Sequence, residues 1–341
     1  MKRDDPDTGT NGRRSAAARV ILPILLLAVL AASPGDARAL ETFRIGTGGS
    51  TGVYYPIGKL LAQGITLDAH TAGSPLHGLI AIAQNSAGSI ENARAIVTGE
   101  IEAGLVQADV AASALKGEKD FAAVPESGKL RAIACLYAEK FQLVVRRDAG
   151  IATFGDLRGK RISVDEPGSG TRQVADIVLA AHGLTEKDLL PQYLKPAFTE
   201  DKMRNGQLDG FAMMAGVPMA AVTRLLPVGL QLLAIAPETA RKIGATYPFL
   251  TPGSIDAGIY PGIGEIATIE VYALLAVSSD MADATAHALT GALFNPATLD
   301  LLHQGHPQGR NITLETALNG LSIPLHPGAR RFYDEHGITR P

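Results

Sequence analysis

FRIGTGGSTGVYYPIGKLLA, residues 43–62, decides the fold. Phe43-Arg44-Ile45 reads as a short apolar strand. Pro56 opens a helix in which Ile57, Leu60, Leu61 and Ile65 fall on one face at 3.6-residue spacing. Between them lies a loop of glycines, so the unit is strand, glycine loop, helix. The pattern recurs downstream. A helix through IENARAIVTGE (90–100), closed by Gly99, is followed by the apolar strand GLVQ at 104–107. The strand QLVVR (142–146) leads through GDLRGKRISV (155–164) into the helix RQVADIVLAAHGL (172–184). There Val174, Ile177, Val178 and Ala181 form the buried stripe and Gly183 the stop. Alternating strands and helices of this kind define the α/β class.

Two breaks divide the chain. One α/β unit ends and the next begins near 141–150. The Pro- and Gly-rich stretch PFLTPGSIDAGIYPGIG (248–264) reads as an irregular connection before the long apolar strand at 267–277. These positions predict a discontinuous first lobe, 40–145 plus 262–341, a continuous second lobe, 146–261, and a ligand cleft between them. The segment 68–89 is the least patterned part.

Composition narrows the function. The chain has 341 residues, 46% hydrophobic and 19% charged, enough to bury a core in two domains and too apolar to be disordered. A net charge of −3 without basic runs interleaved with aromatics argues against nucleic acid. Cys135 is the one cysteine, so an intrachain disulfide is excluded and a thiolate metal site has no second ligand. Its small apolar neighbours mark it as a buried structural thiol.

The first forty residues differ from the rest. Lys2, Arg3, Arg13, Arg14 and Arg19 precede the apolar run at 20–32, Pro34-Gly35 breaks it, and Ala37-Arg38-Ala39 supplies a small-x-small cleavage pattern. Together these read as a secretory signal, 1–39, cleaved after Ala39, with an uncleaved anchor as the alternative. The segment carries six Lys/Arg and four Asp, so cleavage takes the net charge from −3 to −5. The expected destination is beyond the cytoplasmic membrane.

Three loops carry the chemistry. In GTGGSTGVYYP (46–56), glycines let backbone amides approach a ligand and the helix N-terminus favours an anion. A dinucleotide fingerprint fails because position 51 is threonine, and a P-loop fails because Leu60 follows Lys59. Tyr54 and Tyr55 add a wall and a hydroxyl. EPGSGT (166–171) repeats the device, with Ser169 or Thr171 as the cap. Ser89 precedes Asn92 at capping-box spacing, opening a third helix. Gln107 ends an apolar strand, the edge where α/β sheets meet ligands. Ser169 is not in a G-x-S-x-G elbow. The close pair His303 and His306 has no carboxylate cluster beside it, so no metal is expected. Asp165-Glu166 would point to alternate sides of a strand, which disfavours acid-base catalysis. Capture of a small anion, without turnover and without a cofactor, is the expectation.

The runs IGTGGSTGVYYPIGKLLA, GSIENARAIVTGEIEAGLVQADVA, LRGKRISVDEPGSGTRQVADIVLAAHGL, AGVP, YPF, YPG and LSIPLHPGARRFYDEHGI resemble the TAXI family of TRAP-transporter solute-binding proteins, over nearly all of residues 43–338. The resemblance implies a periplasmic-binding-protein fold of type II kind. Its two lobes would close on an amino acid such as glutamate or glutamine, or on a dicarboxylate. A monomer would deliver this ligand to the membrane subunits of a TRAP transporter driven by an ion gradient. It also implies Thr51, Tyr54, Ser89, Asn92 and Gln107 as the lining of lobe one, and Ser169, Gly170, Thr171 and Gly216 as that of lobe two. SAGS at 86–89 and the stretch 68–84 depart from the family pattern. An exported ligand sensor on the same fold and a serine hydrolase using Ser169 stay open as alternatives.

Overall fold

The computed structural model describes residues 41–71 and 73–339. The expected export signal and its cleavage site lie outside them. Ten strands form one mixed sheet: β1 (Glu41–Gly46), β2 (Leu79–Gln84), β3 (Ala103–Gln107), β4 (Leu130–Arg146), β5 (Arg161–Ser163), β6 (Leu190–Gln192), β7 (Gly210–Ala215), β8 (Leu230–Leu232), β9 (Thr251–Ile255) and β10 (Ile266–Ser278). Their order is β2-β1-β3-β10-β4-β7-β5-β6, with β8 on β4 and β9 on β10. The α/β class expected from the sequence is what the chain adopts.

The sheet has a parallel wing on each side of an antiparallel centre. β1, β2 and β3 are mutually parallel, as are β5, β6 and β7, while β10 and β4 run antiparallel between them. β3 is antiparallel to β10, and β10 to β4, so β3 runs in the direction of β4. β7 is antiparallel to β4. The carboxyl ends of the two wings therefore point at each other. Ala273 of β10 pairs with both Gln107 and Tyr137, and Lys140 pairs with Ala215. Only Ala138 and Glu139 of β4 lie between the levels at which the two wings end.

The sequence pattern misplaced three details. QLVVR is the second half of a 17-residue strand, because LRAIACLYAEKFQLVVR contains no Gly, Pro, Asn or Asp to break it. The unpatterned stretch 68–89 contains β2, a half-exposed edge strand. The connection at 248–264 contains β9, whose Pro252 is tolerated because the strand pairs on β10 alone.

The helices that matter for the site are α1 (Tyr54–Ala69), α2 (Ser89–Val97), α3 (Ala108–Lys116), α4 (Gly170–Ala181) and α5 (Pro196–Arg204). The first four follow β1, β2, β3 and β5, and their apolar faces join one continuous core with the sheet. Helix α1 begins at Tyr54, two residues before Pro56. Gly99 and Gly183 sit just past α2 and α4 with φ of 77° and 69°, the left-handed stops expected there.

Asn92 has a structural role that its capping-box spacing concealed. Gly88, not Ser89, is the N-cap of α2, and no side chain caps it. The buried Asn92 amide instead donates to the carbonyls of Thr47 at 2.7 Å and Leu105 at 2.8 Å and accepts from Ser86 Oγ at 2.7 Å. It thus ties the end of β1 to β3. A Cβ on Gly46 would come within 2.5 Å of Asn92 Oδ1, so glycine is what lets the amide in. Asn92→Ala is expected to remove the side-chain donor of the Leu105 carbonyl, while Ser86 Oγ still reaches that of Thr47 at 3.0 Å, and to destabilise the fold by about 1–3 kcal/mol, read as a lower urea midpoint with unchanged m-value.

Candidate functional site

Where the wings face each other, their loops line a narrow, partly open cleft of about 50 Å³. The first wing contributes Gly48, Gly49, Gly52, Val53 and Tyr54 from the loop after β1, Ala87 to Ser89 from the start of α2, and Gln107 from the end of β3. The second contributes Asp165, Ser169, Gly170 and Thr171 before and within α4, Pro196 of α5, and Met213 to Ala215 of β7. Among the described residues, Asp165 is the one ionisable acid or base that lines the space apart from the Tyr54 phenol, and no lysine, arginine or histidine does.

Each polar group is fixed from behind. The Tyr54 hydroxyl lies 3.4 Å from Ser89 Oγ, and Ser89 Oγ accepts the backbone N–H of Gln107 at 3.1 Å. Burial, and next the neighbouring Glu139 carboxyl, push the Tyr54 phenol well above its ordinary range, so it acts as a neutral hydroxyl. Ser169 caps α4: its Oγ accepts from Thr171 N at 3.0 Å and donates to Asp165 Oδ2 at 2.6 Å. Thr171 Oγ1 accepts from Met214 N at 3.1 Å, joining α4 to β7. Asp165 holds φ at +71°, a backbone region that Asp and Asn tolerate better than most, and its Oδ1 accepts the N–H of Glu166 at 2.9 Å. Burial pushes its carboxyl up to about 6, against the pull of the Ser169 hydrogen bond.

The two wings touch across the cleft. The N–H groups of Ile90 and Glu91, at the start of α2, both reach the Gly168 carbonyl at 3.1 Å. Gln173 of α4 donates to Asp109 of α3 at 2.7 Å. A Cβ on Gly170 would overlap the side-chain oxygen of Gln107 and lie 2.7 Å from its Cδ, so Gln107 rests directly on the first residue of α4. That end of α4 carries N–H groups with no intrahelical acceptor.

Of the residues singled out in the sequence, Tyr54, Ser89, Gln107, Ser169, Gly170 and Thr171 come together here. Three do not line the space. Thr51 lies in the same loop with its hydroxyl buried and unpartnered. Asn92 sits behind the wall, bound to the backbone as described. Gly216 follows Ala215 and packs on Gln308 and Tyr137. Tyr54 and Tyr55 divide: Tyr55 turns to a separate surface groove beside Lys59. Ser169 donates to an aspartate rather than to a histidine, so the serine–histidine pair of a triad is not formed at this position. Sequence reading missed Asp165 as a lining residue, and it missed Glu139, fully buried on β4 and bonded to Gln107 Nε2 at 3.0 Å. Cys135 is buried with its thiol pushed up to about 12 by desolvation, as a structural cysteine should be. His306 caps the turn Pro307–Asn311 through Nδ1, and His303 approaches the Ile312 carbonyl at 3.3 Å.

Opposed strand ends, helix N-termini and a narrow cleft between them define an α/β protein with a candidate site at the junction of its two wings. The chain belongs to the NMT1-like family, whose model matches residues 45–337. Among solved structures it is similar to a protein from Bordetella bronchiseptica RB50, at 19% identity over 86% of this chain and 81% of that one, with a TM-score of 0.53. It is also similar to the alkanesulfonate-binding protein SsuA from Xanthomonas axonopodis pv. citri bound to MOPS, at 17% identity, 82% and 87% coverage and a TM-score of 0.47. A third is the periplasmic aliphatic sulphonate binding protein SsuA from Escherichia coli, at 16% identity, 88% and 84% coverage and a TM-score of 0.45. These are likenesses of fold. Among the described residues, no helix is long and apolar enough to cross a membrane.

Proposed function

We propose that the protein is an extracytoplasmic solute receptor. It binds a small carboxylate or amino acid in the cleft without turning it over and passes it to the membrane subunits of an ion-gradient-driven TRAP transporter. The observation that carries this reading is the convergence of both wings' carboxyl strand ends, and of the N-termini of α1, α2 and α4, on one narrow cleft. A ligand carboxylate placed there meets first-turn N–H groups of α4, and each charge-assisted hydrogen bond contributes about 1.5–3 kcal/mol. Two or three such bonds support micromolar binding after the cost of ordering.

Closure follows from the same geometry. The lobes are 40–145 plus 262–341, and 146–261, joined through the central pair of strands where β4 changes its pairing from β10 to β7 at Lys140. The Ile90/Glu91–Gly168 and Gln173–Asp109 bonds, and the Gln308–Val217 bond, are among the contacts that would break on opening. TRAP delivery and the periplasmic location rest on the motif resemblance and the export-signal pattern of residues 1–39.

Isothermal calorimetry tests the proposal on the chain refolded to remove carried-over ligand, with glutamate, glutamine, 2-oxoglutarate and C4-dicarboxylates as probes. One saturable, one-to-one response with the probe recovered unchanged is expected. Recovery of a converted probe would reinstate an enzyme, and silence across the panel would remove small carboxylates as the ligand class.

A further inference from the structure

Two buried carboxyls that the capture just described does not use sit behind the cleft, where the wings meet. Glu139 is fully buried on β4, one residue before the level of Ala215 and two beyond that of Gln107. One of its oxygens accepts from Gln107 Nε2 at 3.0 Å; the other has no hydrogen-bond partner, and neither has the buried Tyr137 hydroxyl beside it. Asp109, in the first turn of α3, is buried and near enough to Glu139 to repel it. One Asp109 oxygen accepts from Gln173 of α4, in the other wing, at 2.7 Å, and the second is unpartnered.

The surroundings do not neutralise this pair. Glu139 faces the Tyr54 phenol from α1, the Tyr137 phenol from its own strand, Gln107 from β3 and Asp109 from α3, while β10 runs past it with Val271 and Ala273. Lys140, next along β4, is taken up by Glu270. Lys119, whose charge reaches Asp109, lies over the Tyr247 ring. The second wing brings Gly170 against Gln107 and Gln173 against Asp109, neither of them titratable. Two ionised carboxyls buried together with unfilled acceptor positions are costly. One proton cancels their repulsion and turns an unpartnered oxygen into a donor for a neighbouring phenol. Opening removes the need for it. Gln107 is covered by Gly170 and Asp109 by Gln173, so withdrawal of α4 lets water onto both carboxyls, and hydrated carboxyls are ionised at neutral pH.

Building on the solute-receptor reading, we infer that closure of the wings over a ligand takes up a proton at the Glu139–Asp109 pair, so that the receptor holds its ligand in mildly acid medium and loosens it as pH rises. Burial pushes the Glu139 carboxyl up to about 8 with the wings in contact, and hydration on opening returns it toward 4.5. Between those values the closed state keeps a proton that the open state has released, so affinity falls with rising pH and levels off above the upper one. Asp165, raised by burial to about 6, adds a like effect at the acid end.

Calorimetry on the full chain tests this with L-glutamate, L-glutamine, 2-oxoglutarate and succinate, whose own charges change little between pH 6.5 and 8.5. In phosphate and Tris, buffers of different ionisation enthalpy, the natural chain is expected to take up about one proton per ligand at pH 7 and to bind at least tenfold more weakly at pH 8.5 than at pH 6.5. Glu139→Gln, fixed in the shape of the neutral acid, should take up none at pH 7 and bind with the same affinity at both pH values. Asp109→Asn, which relieves the repulsion, should move the fall in affinity to lower pH. No proton uptake by the natural chain, or the same uptake in Glu139→Gln, overturns this inference and leaves the receptor standing. Silence from every probe overturns the receptor reading and this one with it.

Discussion

Glu139→Gln is expected to make the folded chain more stable at pH 8 than the natural one, with the advantage disappearing toward pH 4.5. The reason is linkage. Burial raises the Glu139 carboxyl from the ordinary value of 4.5 to about 8 in the folded chain. Between those two values the folded state holds a proton that the unfolded state has released, so stability falls as pH rises through the window. At about 1.4 kcal/mol per unit, the natural chain loses on the order of 4 kcal/mol relative to the variant across it. The glutamine stays neutral, and its oxygen can still accept from Gln107. Asp109 and Asp165 are also raised by burial, whereas Glu102 beside Arg44 and Asp209 beside Arg161 are lowered. Glu102, Asp165 and Asp209 are common to both chains, so the difference reports Glu139 together with the repulsion it shares with Asp109. Urea unfolding at pH 4.5, 6, 7 and 8 measures it; parallel curves for the two chains would show that Glu139 is not held neutral by the fold.

A carboxyl kept at such a cost belongs with function more naturally than with stability, and this is where sequence reading stopped. The strand, glycine loop and helix at 43–62 and its two echoes were plain in the residues, because hydrophobic period and glycine stops are local signals. Six of the nine residues that the family resemblance implied line the cleft, five in loops or first turns that open helices and Gln107 at a strand end. Glu139 was hidden by its setting. Glu-Lys between two apolar runs looks like an exposed turn, and only the lack of any Gly, Pro, Asn or Asp from 130 to 146 hints that the strand continues through it. Asn92 failed for the opposite reason: its spacing from Ser89 fits a cap, but its partners, the carbonyls of Thr47 and Leu105, are set by the tertiary fold. Asp165 became a lining residue because its left-handed backbone departs from the strand alternation that would have turned it away.

Gly170→Val is expected to abolish solute binding while leaving each wing folded. Gly170 is the first residue of α4, where valine's helical backbone angles carry no severe penalty, so the substitution acts through space. Even a Cβ would overlap the Gln107 amide, and that amide cannot swing aside without giving up Glu139. The second wing must therefore back away from the first. Retreat breaks the paired contacts of Ile90 and Glu91 with Gly168, and it withdraws the N–H groups of α4 from any ligand held on Gln107. Losing two charge-assisted hydrogen bonds, at about 1.5–3 kcal/mol each, weakens binding more than a hundredfold. Small-angle scattering should report a larger radius of gyration for the variant than for the ligand-loaded natural chain, with an unchanged far-ultraviolet dichroism spectrum. Gly170→Ala introduces the same Cβ without the valine methyls and should fall between the two. A valine variant that binds with natural affinity and closes to the same radius would mean that α4 and Gln107 never meet across the ligand. Recognition would then have to be sought on the loop after β1 alone.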